Sequence, residues 1–307
     1  MIDYDSPALL TDLDPDPERS VLAVEAPGTE PGTWAGAPSA VVAGDEIFLA
    51  YRLRRPVGKG RGYAIAVARS ADGVRFQTIQ VIGKDEMNTE SLERPALVLT
   101  PDGTWRLYLS CATWGTNHWR VELLEASAPD KFEPGQRMTV LPGDSATAVK
   151  DPVIARHGGT WHLWASVHPL DDPDNTDRMR ADYATSVDGV GWTWHGSALK
   201  PRPGAWDSRG VRVSAVRLGT DRVVAYYDGR ATAAENYEER TGVAVGSSPG
   251  ELTAVGAAPA AQSGAGAGGL RYVDIVDTED GRERMYYEVT RADGRHELRT
   301  ELRSRLA

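Results

Sequence analysis

Apolar and polar residues alternate along most of this chain, and a turn containing Gly or Thr-Asp leads five times into a short apolar and aromatic segment. Two of the copies are residues 103–110, GTWRLYLS, and residues 159–166, GTWHLWAS. Alternation with a period of two is typical of half-buried β-strands. No long segment has the 3.6-residue period of a helix, and we expect at most a turn or two of helix in residues 171–180 and 231–240. The pattern predicts an all-β protein.

The five copies recur at a regular distance, which indicates a repeated structural unit. They begin at positions 44, 103, 159, 220 and 281 and are therefore 59, 56, 61 and 61 residues apart. Each unit divides into four short strands, and the Asp-Gly pairs at 72–73 and 188–189 suit the tight turn between the third and fourth strands. Four antiparallel strands repeated radially form a β-propeller. We predict a five-bladed β-propeller in a single domain, 1–307, with blades at 35–90, 91–147, 148–208, 209–266 and 267–307.

The fifth unit is one strand shorter than the others. The N-terminal segment, residues 1–34, contains two short apolar stretches at 8–10 and 21–24. Either stretch has the composition to supply the missing strand. We therefore expect the N-terminal segment to complete the last blade and close the ring.

Composition and charge narrow the functional classes. Hydrophobic residues make up 41% of the 307, and no apolar run reaches the roughly 18 residues of a membrane span. The formal net charge of −10 disfavours a nucleic-acid surface, which needs clustered Lys and Arg. The acidic first five residues do not look like a signal peptide, so we expect a cytoplasmic protein. The lone Cys111 lies in a repeat strand, where a buried inert thiol is expected.

The chemistry of a propeller is expected where its inner strands converge on the central channel, because residues from different blades meet there. Blade one has only Gly36 to Ser39 at this place and no carboxylate. Charged residues of the other four blades do fall at this end of the strands. They are Glu93 and Arg94 in blade two, Lys150 and Asp151 in blade three, Asp228 and Arg230 with Glu235 and Glu238 in blade four, and Arg271 and Asp274 in blade five.

Paired carboxylates in a channel suit glycoside hydrolysis, in which one carboxyl group protonates the leaving oxygen and a second acts as base or nucleophile. The candidate catalytic residues are Glu93, Asp151, Glu235 and Glu238. For each of them, a structural ion pair with a neighbouring cation is the alternative. Substrate contacts are expected from the charged and aromatic residues nearby. These are Arg94, Lys150, Asp228, Arg230, Arg271, Asp274, Trp114, His118 and Trp119.

Two further groups of residues are candidate binding sites, one basic and one of histidines. The basic run from Arg52 to Arg61 is expected to be a solvated loop, with an anion or sugar contact at a loop rim as the alternative. The six His show no helix-spaced pair and no Cys partners, so no metal site and no cofactor are expected.

These residues resemble the five-bladed propeller glycosidases of glycoside hydrolase families 43 and 32, and the mannoside phosphorylases of family 130. Residues 150–154, KDPVI, with 159–163, GTWHL, are similar to the Asp-Pro inner strand and Gly-x-Trp/Tyr-x-Leu second strand of families 43 and 32. Residues 63–76 are similar to a strand pair common in the group. The resemblance implies a glycosidase in which Asp151 orients substrate or tunes the pKa of the acid.

The chain also departs from these families. They place a base or nucleophile Asp at the entrance of the first blade, where this chain has Ala37, Pro38 and Ser39. Three readings are open: Asp12 or Asp14 supplies the group, Glu93 and Asp151 form the active pair, or hydrolysis has been lost. The general acid of these families is a Glu near blade four, and Glu235 and Glu238 are the nearest candidates.

The expected function is a glycoside hydrolase that acts on an oligo- or polysaccharide in a central acidic funnel. The alternatives are a non-catalytic carbohydrate-binding propeller and a glycoside phosphorylase. A phosphorylase needs a cationic phosphate pocket, which Arg94, Lys150, Arg230 and Arg271 would form. The expected partner is a carbohydrate, with no nucleic acid and no membrane, and the oligomeric state is left open.

Overall fold

A computed structural model describes residues 14–56 and 58–304. This part of the chain contains strands β1 to β20 and three 3-10 turns. The first strand is β1 (Val21–Val24), and blade one follows as β2 (Trp34–Ala43), β3 (Glu46–Arg54), β4 (Gly62–Ser70) and β5 (Gln77–Gly83). Blade two is β6 (Leu92–Leu99), β7 (Trp105–Ala112), β8 (Trp119–Ala126) and β9 (Met138–Leu141). Blade three is β10 (Thr147–His157), β11 (Thr160–Pro169), β12 (Arg180–Ser186) and β13 (Thr193–Leu199).

Blade four is β14 (Gly210–Leu218), β15 (Val223–Arg230), β16 (Arg240–Ser248) and β17 (Glu251–Val255), and the last strands are β18 (Leu270–Asp277), β19 (Arg282–Thr290) and β20 (His296–Ser304). In each blade the strands pair antiparallel in chain order. The prediction of an all-β, five-bladed propeller is confirmed. The 3-10 turns are Pro134–Gln136, Pro173–Asn175 and Ala233–Glu235, and none of these three-residue turns is long enough to cross a membrane.

The fifth blade receives its fourth strand from the other end of the chain. β1 pairs antiparallel with β20, with Val21 opposite Thr300 and Leu22 opposite Arg299. The strand is formed by residues 21–24, and the other stretch considered, 8–10, lies outside the described residues. β20 also touches the first blade, where Trp34 pairs with His296.

The repeated apolar segment is the second strand of each blade, and its side chains fill the gaps between blades. One apolar cluster occupies each of the five gaps. Between blades one and two, for example, Phe48 meets Trp105 at 4.9 Å between ring centroids, edge to face. Both faces of these strands are covered by neighbouring blades, which explains why the segments are almost continuously apolar. Trp105, Trp161 and Trp164 are buried there, as blade packing requires.

Every inner strand is bulged near its beginning. Register shifts fall between Gly36 and Ser39 in β2, and at corresponding places in the other four inner strands. Ala37, Asp151 and Tyr272 in these bulges have left-handed backbone φ values of 53°, 53° and 55°. A bulge bends its strand and changes the direction of the side chains that follow. Here it turns charged and aromatic side chains toward the central axis.

Candidate functional site

A cavity of about 150 Å³ opens at the end of the propeller where the inner strands begin. Its size is below the roughly 300–1,000 Å³ of pockets for drug-sized ligands, so it suits a small group. All five blades contribute to it. The lining side chains are Arg52, Arg54, Arg61, Glu93, Asn117, Trp119, Lys150, His168, Thr176, Asp177, Met179, Arg212, Arg230, Asn236, Tyr237, Glu239, Arg271 and Tyr272.

The lining is mainly cationic. Its carboxylates are Glu93, Asp177 and Glu239. Its basic side chains number seven, namely Arg52, Arg54, Arg61, Lys150, Arg212, Arg230 and Arg271. Burial lowers the pKa of the remaining titratable ring, His168, to about 3, so it is neutral. The expected acidic funnel is therefore wrong, because arginines from β3, β14, β15 and β18 surround the few acids.

Glu93 lies at the start of β6 and points to the end of β3. Its carboxylate forms ion pairs with Arg52 and Arg54, the latter at 3.1 Å, and it is 4% exposed. The Arg54 guanidinium lies 4.4 Å from the ring centroid of Trp34 and 4.4 Å from that of Tyr237. Two aromatic rings therefore hold the cation that faces Glu93.

Glu239, directly before β16, is the most heavily paired acid of the cavity. Its carboxylate contacts Arg230 and Arg271, and it lies 4.0 Å from Arg212. Burial disfavours its charged form, yet the three guanidinium groups outweigh burial and hold its pKa well below the usual range. Glu239 is consequently ionised at any ordinary pH.

Lys150 and Asp151 form the blade-three part of the site. The ammonium of Lys150 lies 3.5 Å from the Asp151 carboxylate and 4.8 Å from the ring centroid of Trp119. Burial, only partly offset by Asp151, lowers the Lys150 pKa to about 8. Asp151 itself is fully enclosed and does not line the cavity; Lys150 and Arg212 overcome its burial and lower its pKa to about 2.

Three of the expected substrate contacts lie behind the cavity lining. Asp228 is fully buried, where it accepts hydrogen bonds from Arg212 and from the Tyr272 backbone N–H. Arg94 donates to the Ser214 carbonyl at 2.5 Å. Asp274 accepts from the Ala40 N–H at 2.6 Å, and burial raises its pKa to about 6. These three side chains tie inner strands of different blades together.

A carboxylate from blade five lies beside the blade-one entrance, behind the cavity lining. Glu288 of β19 accepts from the Ala37 N–H at 3.1 Å and pairs with Arg52 at 3.2 Å and Arg271 at 2.7 Å. A Cβ atom at Gly36 would overlap this carboxylate. Of the two N-terminal candidates, Asp12 lies outside the described residues. Asp14 does not line the cavity, and the cation acting on it is Arg303, at the other end of blade five.

Glu235 and Glu238 are engaged outside the cavity lining. Glu235 accepts from the Ala231 and Thr232 N–H groups of its own 3-10 turn and pairs with Arg240 at 2.8 Å. Glu238 accepts from the Gly269 N–H and the Thr290 hydroxyl. Both carboxylates therefore stabilise loops, and the acid of this segment that reaches the cavity is their neighbour Glu239.

Of the three aromatic side chains expected to contact substrate, Trp114, His118 and Trp119, one lines the cavity. Trp119 lines the cavity, as does the neighbouring Asn117. His118 lies outside the lining, with its Nδ1 3.0 Å from the Thr113 hydroxyl. Trp114 is 53% exposed and lies under the ammonium of Lys84, at 4.8 Å.

Several lining residues were not expected from the sequence. Arg52 and Arg54 belong to β3 and are almost completely buried, so the expectation of a solvated loop is wrong for them. Their signal was present: alternate positions at the end of a repeat strand share a face. Tyr237 has a left-handed φ of 77° and, despite burial, a pKa lowered by Arg54, Arg61 and Lys150. No local motif marks it.

The His, Cys, Asp and Glu side chains of the described residues are not arranged as a metal site. Over residues 14–56 and 58–304, no group of three or more His, Cys, Asp and Glu side chains has the arrangement to hold a metal ion. The titrating groups around the cavity face arginine or lysine instead.

No family model matches the sequence, and no curated protein matches it. Solved structures with the same architecture do match. A glycosyl hydrolase from Bacteroides ovatus is 15% identical, with 96% of this chain and 92% of that chain covered and a TM-score of 0.63. A β-1,2-mannobiose phosphorylase from Listeria innocua is also 15% identical, with 91% and 93% covered and a TM-score of 0.66.

A thermostable family-43 glycoside hydrolase is 13% identical, with 91% of each chain covered and a TM-score of 0.67. At such identities the likeness shows a shared fold. The chain has the propeller fold of glycoside hydrolases and of a mannobiose phosphorylase, and the resemblance stated from the sequence is confirmed at that level.

Proposed function

We propose that the protein is a carbohydrate-active enzyme that cleaves a glycosidic bond in the central cavity. The observation that carries this proposal is the meeting of Glu93 and Glu239, from blades two and four, in one small cavity beside Trp119. Glycoside cleavage needs a carboxylate as base or nucleophile next to a proton donor. An indole face also suits the apolar face of a sugar ring.

The electrostatics suggest how the roles divide. Glu239 stays ionised among three arginines, which suits a base or nucleophile and not a proton donor. Lys150 has a pKa of about 8 and can therefore give up a proton near neutral pH, so we assign it the proton for the leaving oxygen. Asp151, 3.5 Å behind Lys150, is a positioning residue.

A second candidate is a carbohydrate-binding propeller without catalysis. It is favoured by Ala37 at the blade-one entrance and by the pairing of each lining acid, Glu93, Asp177 and Glu239, with arginine. The cationic lining also suits phosphate, the co-substrate of a phosphorylase. Product formation, and its dependence on phosphate, separate these cases.

The test compares Glu93→Gln and Glu239→Gln with the wild-type protein on arabinosyl, xylosyl, fructosyl and mannosyl oligosaccharides, with and without phosphate. We expect Glu239→Gln to lose at least about 100-fold in turnover, since acid–base groups contribute about 10² to 10⁴. Glu93→Gln should also lower turnover, because it no longer holds Arg52 and Arg54 in place. Glu251→Gln, an exposed change on β17 of the same blade as Glu239, is the matched control and should keep full activity.

Each Gln variant leaves buried arginines without a charged partner, which destabilises the fold. Melting curves and sugar binding therefore show whether each variant is folded. Full turnover in both folded variants would contradict the assignment. Binding of an oligosaccharide by the wild-type protein without product would favour the second candidate, and turnover only with phosphate would identify a phosphorylase.

A further inference from the structure

Seven basic side chains line the cavity, against three lining carboxylates and three more that pair with these cations from behind the lining, Asp151, Asp228 and Glu288, so one cation is left in excess. Each lining carboxylate already has at least two guanidinium partners: Glu93 has Arg52 and Arg54, and Glu239 has Arg230 and Arg271. The third, Asp177, pairs with Arg209 at 2.6 Å and Arg230 at 3.3 Å. The three acids are therefore fully occupied by arginine.

Burial and neighbouring cations disfavour the charged forms of two lining side chains, Lys150 and Arg54. The Lys150 pKa is lowered by burial and then by Arg212 and Arg52, against the opposing effect of Asp151. The Arg54 pKa is lowered to about 10, by burial first and by Arg52 next. Both lowered pKa values mean that the protonated, positively charged forms of Lys150 and Arg54 are less stable in this cavity than in water. A negative group placed among these side chains would relieve that repulsion.

Donors remain for such a group. Arg61 stands at the cavity rim, is exposed, and is in no ion pair with the part of the chain that the structure describes. Guanidinium and ammonium groups are the usual ligands of carboxylate and phosphate oxygens. The small cavity volume suits one such group with its sugar ring.

We propose that the cavity recognises an oxyanion carried by the sugar, either the carboxylate of a uronic acid or a phosphate, and that Arg61 binds it directly. The sugar part rests on the proposed function, whereas binding of the oxyanion requires no turnover. The inference narrows the substrate to acidic carbohydrates.

Calorimetric titration of the full chain tests this with glucuronate, galacturonate, glucose 6-phosphate and inorganic phosphate, against neutral glucose and galactose. We expect the acidic sugars to bind at least about tenfold more tightly than their neutral counterparts. The preference should shrink between about 50 and about 500 mM NaCl because salt screens charge. A uronate preference identifies a carboxylate, and tighter binding of glucose 6-phosphate than of inorganic phosphate identifies a sugar phosphate. Binding of inorganic phosphate alone would overturn the inference, because it fits the co-substrate of a phosphorylase.

Two variants localise the effect. Arg61→Gln should weaken oxyanion binding about tenfold and leave neutral sugars unchanged. Arg75→Gln, whose side chain is 91% exposed away from the cavity, should change nothing. Equal affinity for acidic and neutral sugars, or an Arg61→Gln variant that binds acids as well as the wild type, would overturn the inference. Oxyanion binding without any glycoside cleavage would overturn only the proposed function. Turnover of neutral glycosides, without a preference for acidic ones, would overturn only this inference.

Discussion

Asp151 is fully enclosed, and its carboxylate lies 3.5 Å from Lys150 and 3.3 Å from Arg212. Its backbone is left-handed within the bulge of β10. A residue in this position acts through the cations that it orients. The resemblance stated from the sequence implied such a role, and the ion pairs explain how it would be performed.

Replacing Asp151 with Asn should lower the free energy of unfolding by about 3 kcal/mol, since breaking a buried ion pair leaves an uncompensated charge. The exposed pair Lys84–Asp85, at 3.0 Å, is the matched control, and Asp85→Asn should lose less than about 1 kcal/mol. Urea denaturation measures both. Equal losses would mean that Asp151 contributes no more than a surface residue.

The same variant has a defined pH dependence. Because the Asp151 pKa falls from 3.8 to about 2 on folding, its contribution is present above pH 3.8 and is lost as the pH falls toward 2. The stability difference between wild type and Asp151→Asn should therefore be full at neutral pH and shrink in acid.

Single side chains of the cavity were predictable where the blade repeat placed them. Glu93, Lys150 and Arg271 begin inner strands, and all three line the cavity. Glu239 was not predictable, because three neighbouring acids compete for one position. The turn Ala233–Glu235 and the left-handed Tyr237 decide which of them faces inward. The capping box of Thr232 and Glu235 marks the turn, but no local motif marks Tyr237.

The bulged inner strands are the elements that build the site, and β2 shows this most directly. Its Gly36 leaves the space that Glu288 of β19 fills, so a side chain of blade five holds Arg52 of blade one. Alternation predicts a strand at this place. It does not show that the strand contains a bulge, in which one extra residue changes the direction of the side chains that follow. The sequence therefore did not show which carboxylate lies beside the blade-one entrance.

Gly36→Ala should lower the free energy of unfolding by about 1–3 kcal/mol, since the new methyl group must displace the Glu288 carboxylate. It should also weaken ligand binding, because Arg52 and Arg271 lose their shared partner. Gly135→Ala is the control, as a Cβ there meets nothing within 4 Å. Identical melting temperatures for the two variants would contradict this account of β2.

The ring of five blades depends on the pairing of β1 with β20. The contact is reinforced by Arg299, which donates to the Ser20 hydroxyl at 2.6 Å and the Ser20 carbonyl at 2.9 Å. Without β1, one side of β20 would expose unpaired backbone groups, which invite pairing with other chains.

Deleting residues 1–24 should therefore lower the melting temperature and promote self-association, as measured by calorimetry and light scattering. A synthetic peptide of residues 14–28 should bind the truncated chain and restore both properties, because an added strand can complete an open sheet edge. A truncated chain that stays monomeric with an unchanged melting temperature would show that the ring does not need this strand.

The seam between β1 and β20 also sets an order of assembly. Val21 lies opposite Thr300, so β1 is synthesised long before its partner β20. Blades one to four use only consecutive strands and can form as the chain emerges from the ribosome. β1 is thus made before every blade and placed last, and it remains open to other partners until β20 has been synthesised.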